Sequence, residues 1–196
     1  MAKGHDKGSA FERKISKELS LWWTSGKRDD IFYRTSQSGG RATTRSKQSK
    51  DTFGQYGDIQ AADPIGQPLM DLVSIELKTG YKGACMLDVL EKTKTQHPLY
   101  ERFLEQAEGD AKKAGVPFWL LITRRHGKQI MVWMPSVLFS RIKRNIIHNE
   151  RKVVRPDIRI RVPRYFTEEK TEWVIDGFTW NRFICYVDPY RLARDA

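Results

Sequence analysis

Residues 73 to 81 read Val-Ser-Ile-Glu-Leu-Lys-Thr-Gly-Tyr, an aliphatic run with an acid and a base set two positions apart. Side chains of an extended chain alternate between faces. Val73, Ile75 and Leu77 therefore share one face, and Ser74, Glu76 and Lys78 share the other. A solvated ion pair would explain the charges and would be worth under ~1 kcal/mol. The acid-x-lysine pattern also occurs at 12–14, 110–112, 150–152 and 168–170, but only the copy at 76–78 lies in an aliphatic strand. Only that copy also follows a second strand-like stretch with an acid of its own, Asp58 in Tyr-Gly-Asp-Ile-Gln. Adjacent strands can bring Asp58 and Glu76 to one sheet edge. Two carboxylates and the main-chain carbonyl of Leu77 are hard oxygen donors that suit Mg²⁺, with Mn²⁺ as a substitute. Such an ion offsets the repulsion between the acids, polarises a phosphodiester and acidifies a bound water. Lys78, pointing the same way, would orient that water or stabilise the charge developing at phosphorus.

Several elements must position these groups. Phe11, Ile15, Leu19 and Trp22 or Trp23 fall at helical spacing, with Ser9 and Glu12 reading as a capping box at the helix start. Residues 31–35 read as a strand, 57–63 as a second, 64–68 as a turn and 70–78 as a third strand. A short helix over 86–94 precedes a longer one over 98–114, which Gly115 stops. Residues 116–123 and 129–134 form two more strands, joined by the basic turn Arg-Arg-His-Gly-Lys. The expected fold is α/β: helix, three strands, helix, two strands, with a mixed sheet flanked by helices. Residues 1–135 form this core, and 136–196 a basic α+β extension packed on it. In that extension a helix precedes an alternating strand at 155–165, Asp176-Gly177 reads as a hairpin turn, and 182–187 read as a last strand.

The 196 residues are enough for one domain with a sizeable core. A formal charge of +11 favours a polyanionic partner, nucleic acid first. No apolar run approaches the length of a bilayer span, and the N-terminus lacks the apolar region of a secretory signal, so a cytoplasmic protein is expected. Cys85 and Cys185 define neither a disulfide framework nor a zinc site. Trp119, Trp133, Trp173 and Trp180 lie in strand-like runs and read as core.

Asp58, a gap, then Glu76-Leu77-Lys78 after a helix carrying Glu12 resembles the PD-(D/E)XK nuclease superfamily over roughly residues 8–134. The resemblance implies a restriction-endonuclease-like core. It makes Asp58, Glu76, Leu77 and Glu12 metal ligands, with Glu12 the helix acid leaning into the site, and Asp58, Glu76, Lys78 and Gln106 the catalytic residues. One departure is Gly57, where the family pattern has proline before the acid. Within the superfamily the chain is similar to archaeal-type Holliday junction resolvases, on the helix start Lys7 to Arg13 and the Ser-Gly motif at Ser38 to Arg41. That similarity implies branched DNA cut by a homodimer, in a phage or prophage setting. The loop 41–56 and the tail after Pro135 have no counterpart in it.

Residues 36–50 carry cations and hydroxyls with no acid before Asp51. Phosphate contacts need such groups, and Gly39-Gly40 would let backbone N–H groups approach closely. Arg34, Ser38, Gly39, Gly40, Arg41, Arg45, Lys47 and Lys50 are the expected DNA contacts. Linear-duplex or single-strand cutting by the same chemistry, and a basic DNA-binding protein without catalysis, stand as alternatives.

Overall fold

Helix α1 (Gly4–Trp23) forms on a stripe of Phe11, Ile15, Leu19 and Trp23, all of them buried. It begins five residues earlier than the capping-box reading requires. Ser9 lies inside the helix, where its hydroxyl accepts a hydrogen bond from Arg34 at 2.6 Å. A computed structural model describes residues 4–35, 56–146, 155–164, 172–189 and 192. The expected DNA contacts from Ser38 to Lys50 lie outside the described residues.

After α1 come β1 (Phe32–Arg34) and β2 (Ile59–Ala61), an antiparallel ribbon pairing Tyr33 with Gln60. The stretch expected to turn and open a strand is instead a 3-10 turn (Pro64–Gly66) running into helix α2 (Gln67–Leu72). Asp63 caps the turn by accepting from the Ile65 N–H at 3.0 Å, and prolines at the starts of both segments fit helical entry. Strand β3 therefore starts at Val73 and ends at Thr79.

Helices α3 (Leu87–Glu91) and α4 (Leu99–Ala114) follow, then β4 (Phe118–Arg124), β5 (Ile130–Pro135) and helix α5 (Ser136–Ile146). The chain continues through β6 (Ile158–Pro163), β7 (Glu172–Thr179) and helix α6 (Trp180–Tyr186). The five-stranded sheet has the order β3-β4-β5-β7-β6, parallel between β3 and β4 and antiparallel elsewhere. Residues beyond 135 thus extend the same sheet, since β7 pairs directly with β5.

Both faces of the sheet are covered. Val73, Ile75, Leu77, Leu120 and Ile122 pack with α1, α5 and α6 on one side. Trp119, Leu121, Trp133 and Ile175 pack with α3 and α4 on the other. The face of Ser74 and Glu76 is therefore dry, and both residues are buried. The four tryptophans named above are also buried.

Two C-terminal expectations fail for packing reasons. Asp176-Gly177 is no turn: β7 runs straight through it, and Asp176 is wholly buried in a two-pronged pair with Arg159 at 2.6 and 2.8 Å. Gly177 is present for space, because a Cβ there would sit 2.5 Å from the Trp133 ring. Residues 182–187 are helical through 186, because Trp180, Phe183 and Val187 recur at helical spacing and all are buried. Trp22 lies 5.5 Å from Phe183, ring to ring, and donates its indole N–H to the Val187 carbonyl at 2.9 Å.

Candidate active site

The site is assembled on the outer edge of β3, whose one ladder partner among the described residues is β4 on the opposite side. Asp58 occupies that edge without forming a ladder. Its N–H donates to the Ile75 carbonyl at 2.8 Å, and its carboxylate accepts from the Leu77 N–H at 2.8 Å. From the ribbon side, the Thr35 N–H donates to the Asp58 carbonyl at 2.9 Å. Gly57 makes this approach possible. Its φ is +79°, and a Cβ there would lie 2.9 Å from both the Ile75 carbonyl oxygen and the Ser74 hydroxyl. Proline, with φ locked near −65°, cannot take that conformation. The departure from the family pattern is thus dictated by how closely this backbone meets β3.

Glu76 projects toward α4. One carboxylate oxygen accepts from the Gln106 amide at 2.7 Å and from the Lys78 ammonium. Lys78 lies over the Phe103 ring, 5.4 Å from its centre, so α4 supplies both the floor beneath the lysine and a donor to the glutamate. Gln106 and Phe103 are three apart on that helix and face the site together.

Burial raises both acids. Asp58 is pushed up to about 6; the Leu77 N–H and Lys78 oppose the rise, while the charges of Glu12 and Asp110 add to it. Glu76 is pushed up to about 8, by burial first and by the charge of Asp58 second, against the pull of Lys78. Burial works against the charge of Lys78 as well, but the charge and hydrogen bond of Glu76 outweigh it and its pKa ends above the ordinary value. Lys78 is accordingly an ammonium at neutral pH.

Asp58 and Glu76 each keep one carboxylate oxygen, Oδ1 and Oε2, that takes no hydrogen bond among the described residues. Two buried, mutually repelling carboxylates with a spare oxygen each form a donor set that fits a divalent cation. Another acid-rich group, His97, Glu101 and Glu105, has its ligand atoms within 4.8 Å of one another. There the buried Lys92 ammonium already pairs with Glu101, so counter-charge is present without a metal.

Glu12, the helix acid expected among the ligands, acts on the site through its charge on Asp58, while its carboxylate accepts from Arg34 at 2.9 Å. Arg34, an expected DNA contact, is therefore held between Glu12 and Ser9. Asp110 was not singled out from the sequence. It lies one turn beyond Gln106, and its charge raises both Asp58 and Glu76. The spacing of Gln106 and Asp110 was the available signal, since residues four apart share a helix face. The aromatic support was also missed: Phe103 lies under Lys78 and packs on Tyr81 at 4.9 Å.

A mixed sheet flanked by helices, with an acid at its edge facing an acid-x-lysine strand, defines a restriction-endonuclease-like nuclease core. The family described as "Phage putative PDDEXK endonuclease" matches residues 3–183, and the chain belongs to that family. It is thus a nuclease that hydrolyses phosphodiester bonds, with DNA as its substrate. PD-(D/E)XK nucleases generally use divalent metals. No curated protein and no solved structure gives a significant match to the chain. Among the described residues no helix is long and apolar enough to cross a membrane.

Proposed function

We propose that the chain is a Mg²⁺-dependent DNA endonuclease whose ion is held by Asp58, Glu76 and the carbonyl of Leu77. The observation that carries this reading is the hydrogen bond from the Leu77 N–H to Asp58. N–H and C=O of one strand residue project from the same edge, so the Leu77 carbonyl faces the side that Asp58 occupies. When bound, the ion supplies Lewis-acid polarisation of the phosphodiester and a more acidic water.

The chain's own groups divide the remaining work. Lys78, an ammonium, stabilises negative charge on the phosphoryl oxygens and is not the base. Gln106 fixes the Glu76 carboxylate so that its second oxygen faces the ion. Glu12 acts on the site through its charge on Asp58. Water displaces the leaving oxygen at phosphorus directly, with no covalent protein intermediate.

The substrate reading is branched DNA, cut by a homodimer in the cytoplasm of a phage-infected cell. Its support is the likeness of residues 7–13 and 38–41 to archaeal-type junction resolvases. In this reading Ser38, Gly39, Gly40, Arg41, Arg45, Lys47 and Lys50 contact the DNA. The test is cleavage of end-labelled four-way junction, linear duplex and single-stranded DNA with Mg²⁺ or Mn²⁺, beside a Lys78→Ala control. Paired symmetric nicks on the junction alone, lost in the variant, support resolution. Equal cutting of linear DNA removes the junction and keeps the nuclease. Undiminished cutting by Lys78→Ala removes the assigned site.

A further inference from the structure

Arg124, Arg125, His126 and Lys128 crowd the tip of the β4–β5 hairpin. Among the described residues, Arg124, Arg125 and Lys128 make no ion pair. By contrast Arg28, Arg159, Arg161, Arg164 and Arg182 are all neutralised by acids. Unpaired cations clustered on a turn repel one another and destabilise the free protein slightly, which makes an anionic partner the natural counterpart.

The tip also lies beside the end of the catalytic strand. β3 and β4 are parallel and end together, with Lys78 opposite Thr123 and Thr79 opposite Arg124. The Gly80 N–H donates to the Arg124 carbonyl at 3.3 Å, fastening the end of the catalytic strand to the hairpin. At strand spacings, the Arg124 backbone is only ~6 Å from that of Lys78.

Alternation along β4 sends Arg124 to the side of Leu120 and Ile122, the face covered by α1. There Arg124, Lys128 and Lys14 of α1 rim an open cleft of about 250 Å³ floored by Ile130 and Trp180. Its single acid, Glu18, is 3.7 Å from Lys14, an exposed pair that leaves the cleft a net cationic surface. A space of that size suits a phosphate and part of its sugar.

We infer that this cleft is a DNA-phosphate subsite, in which the backbone leaving the scissile position crosses the ends of β3 and β4 and seats a phosphate between Arg124, Lys128 and Lys14. The inference rests on the active site proposed above, because that site fixes where the backbone starts. The contact is electrostatic and independent of sequence, so it sets position and affinity and leaves base preference unaffected.

The experiment uses the full chain and a linear duplex, with binding measured without divalent ions over a range of salt. The double variant Arg124→Gln/Lys128→Gln is compared with Lys17→Gln/Arg161→Gln, which removes two cations already paired with acids elsewhere. All four side chains are exposed, so folding is preserved in both variants. Each lost phosphate contact should flatten the log–log salt slope by about 0.9. Because the subsite seats a single phosphate, the first double variant should flatten the slope by about 0.9 and bind several-fold more weakly at moderate salt. The second should leave the slope as it is. An unchanged slope in the first variant, or an equal fall in both, overturns the subsite while the nuclease reading stands. A wild-type chain that neither binds nor cuts DNA overturns both.

Discussion

Raising the pH of the metal-free protein should destabilise it, and the size of the effect follows from the two buried carboxylates. A tenfold change in proton affinity is worth about 1.4 kcal/mol. The rise of Glu76 from 4.5 to about 8 therefore makes ionising it in the folded chain cost on the order of 4–5 kcal/mol. The rise of Asp58 from 3.8 to about 6 corresponds to about 3 kcal/mol. Asp58 ionises first and its charge is one of the causes that raise Glu76, so ionising both costs several kcal/mol, a large share of an ordinary domain's stability. Between about pH 4 and pH 8 the folded chain holds protons that the unfolded chain has released. Stability is then greatest at the acid end of that window and falls as pH rises through the folded-state values.

The assay is urea unfolding in EDTA at several values from about pH 5.5 to about pH 8.5. This range lies above the titration of Asp30 and Asp63, whose exposed carboxyls are lowered by their hydrogen bonds. Glu76→Gln carries the same four histidines and should show a flatter dependence, which isolates the site's contribution. Mg²⁺ or Mn²⁺ should recover stability mainly at the alkaline end, by about 2.7 kcal/mol at a hundredfold excess over Kd. A metal-free stability that stays flat or rises across the range would refute the reasoning.

Substitutions at three positions test how the site is held, and one at a fourth position tests the sheet behind it. Gly57→Ala should cost at least 2 kcal/mol in urea unfolding and reduce cleavage more than tenfold, because φ at +79° and contact with the Ile75 carbonyl both penalise a side chain; full stability and activity would contradict this. Gln106→Ala should lower kcat by roughly tenfold at constant KM, since it frees one of the two donors on Glu76, and an unchanged kcat would make Gln106 an ordinary surface residue. Asp58→Asn should abolish cleavage and preserve DNA binding and the folded state, whereas Asp58→Ala should also lose about 1–3 kcal/mol by orphaning the Leu77 N–H; equal stability of the two variants would count against that edge bond. Arg159→Ala should cost about 2–3 kcal/mol, because Asp176 is wholly buried, though its half-exposed partner keeps the loss below that of a fully buried pair; a midpoint shift worth under about 0.5 kcal/mol would show that solvent replaces the guanidinium.

The catalytic strand was legible because its signal is local. Alternation alone placed Val73, Ile75 and Leu77 opposite Glu76 and Lys78, and the structure keeps that division while drying both faces. Helices α1 and α4 were legible for the same reason, through apolar stripes at helical spacing. What failed depended on partners distant in sequence. Asp176-Gly177 has the composition of a turn, but Arg159 and the Trp133 ring decide its conformation from 17 residues away and across a neighbouring strand. Residues 182–187 are apolar over a span too short to separate strand from helix by period, and the Trp22 contact settles it. Arg34 read as a free cation beside a basic loop, yet Glu12 and Ser9, more than 20 residues earlier, engage it. Asp110 left a trace only in its spacing from Gln106, which has meaning once the helix is known to face Glu76.

The edge position of β3 ties these observations to the chemistry. An exposed strand edge invites pairing with other chains, and proteins blunt it with charge or irregular backbone. Here the blunting device is Asp58, which satisfies two consecutive backbone groups of β3 where β2 makes no ladder with it. A full β2–β3 ladder would have engaged the Leu77 carbonyl and turned the acid away from it. By holding the edge with one residue, the chain keeps Asp58 and that carbonyl on a common side, with Glu76 delivered from the sheet face by the next residue along. Gly57 is the condition for this arrangement, because any side chain at that position would lift Asp58 off the strand. The metal-free cost of gathering two buried acids is then the counterpart of their readiness for a cation: the repulsion that destabilises the empty site at alkaline pH is the same energy that a divalent ion recovers on binding.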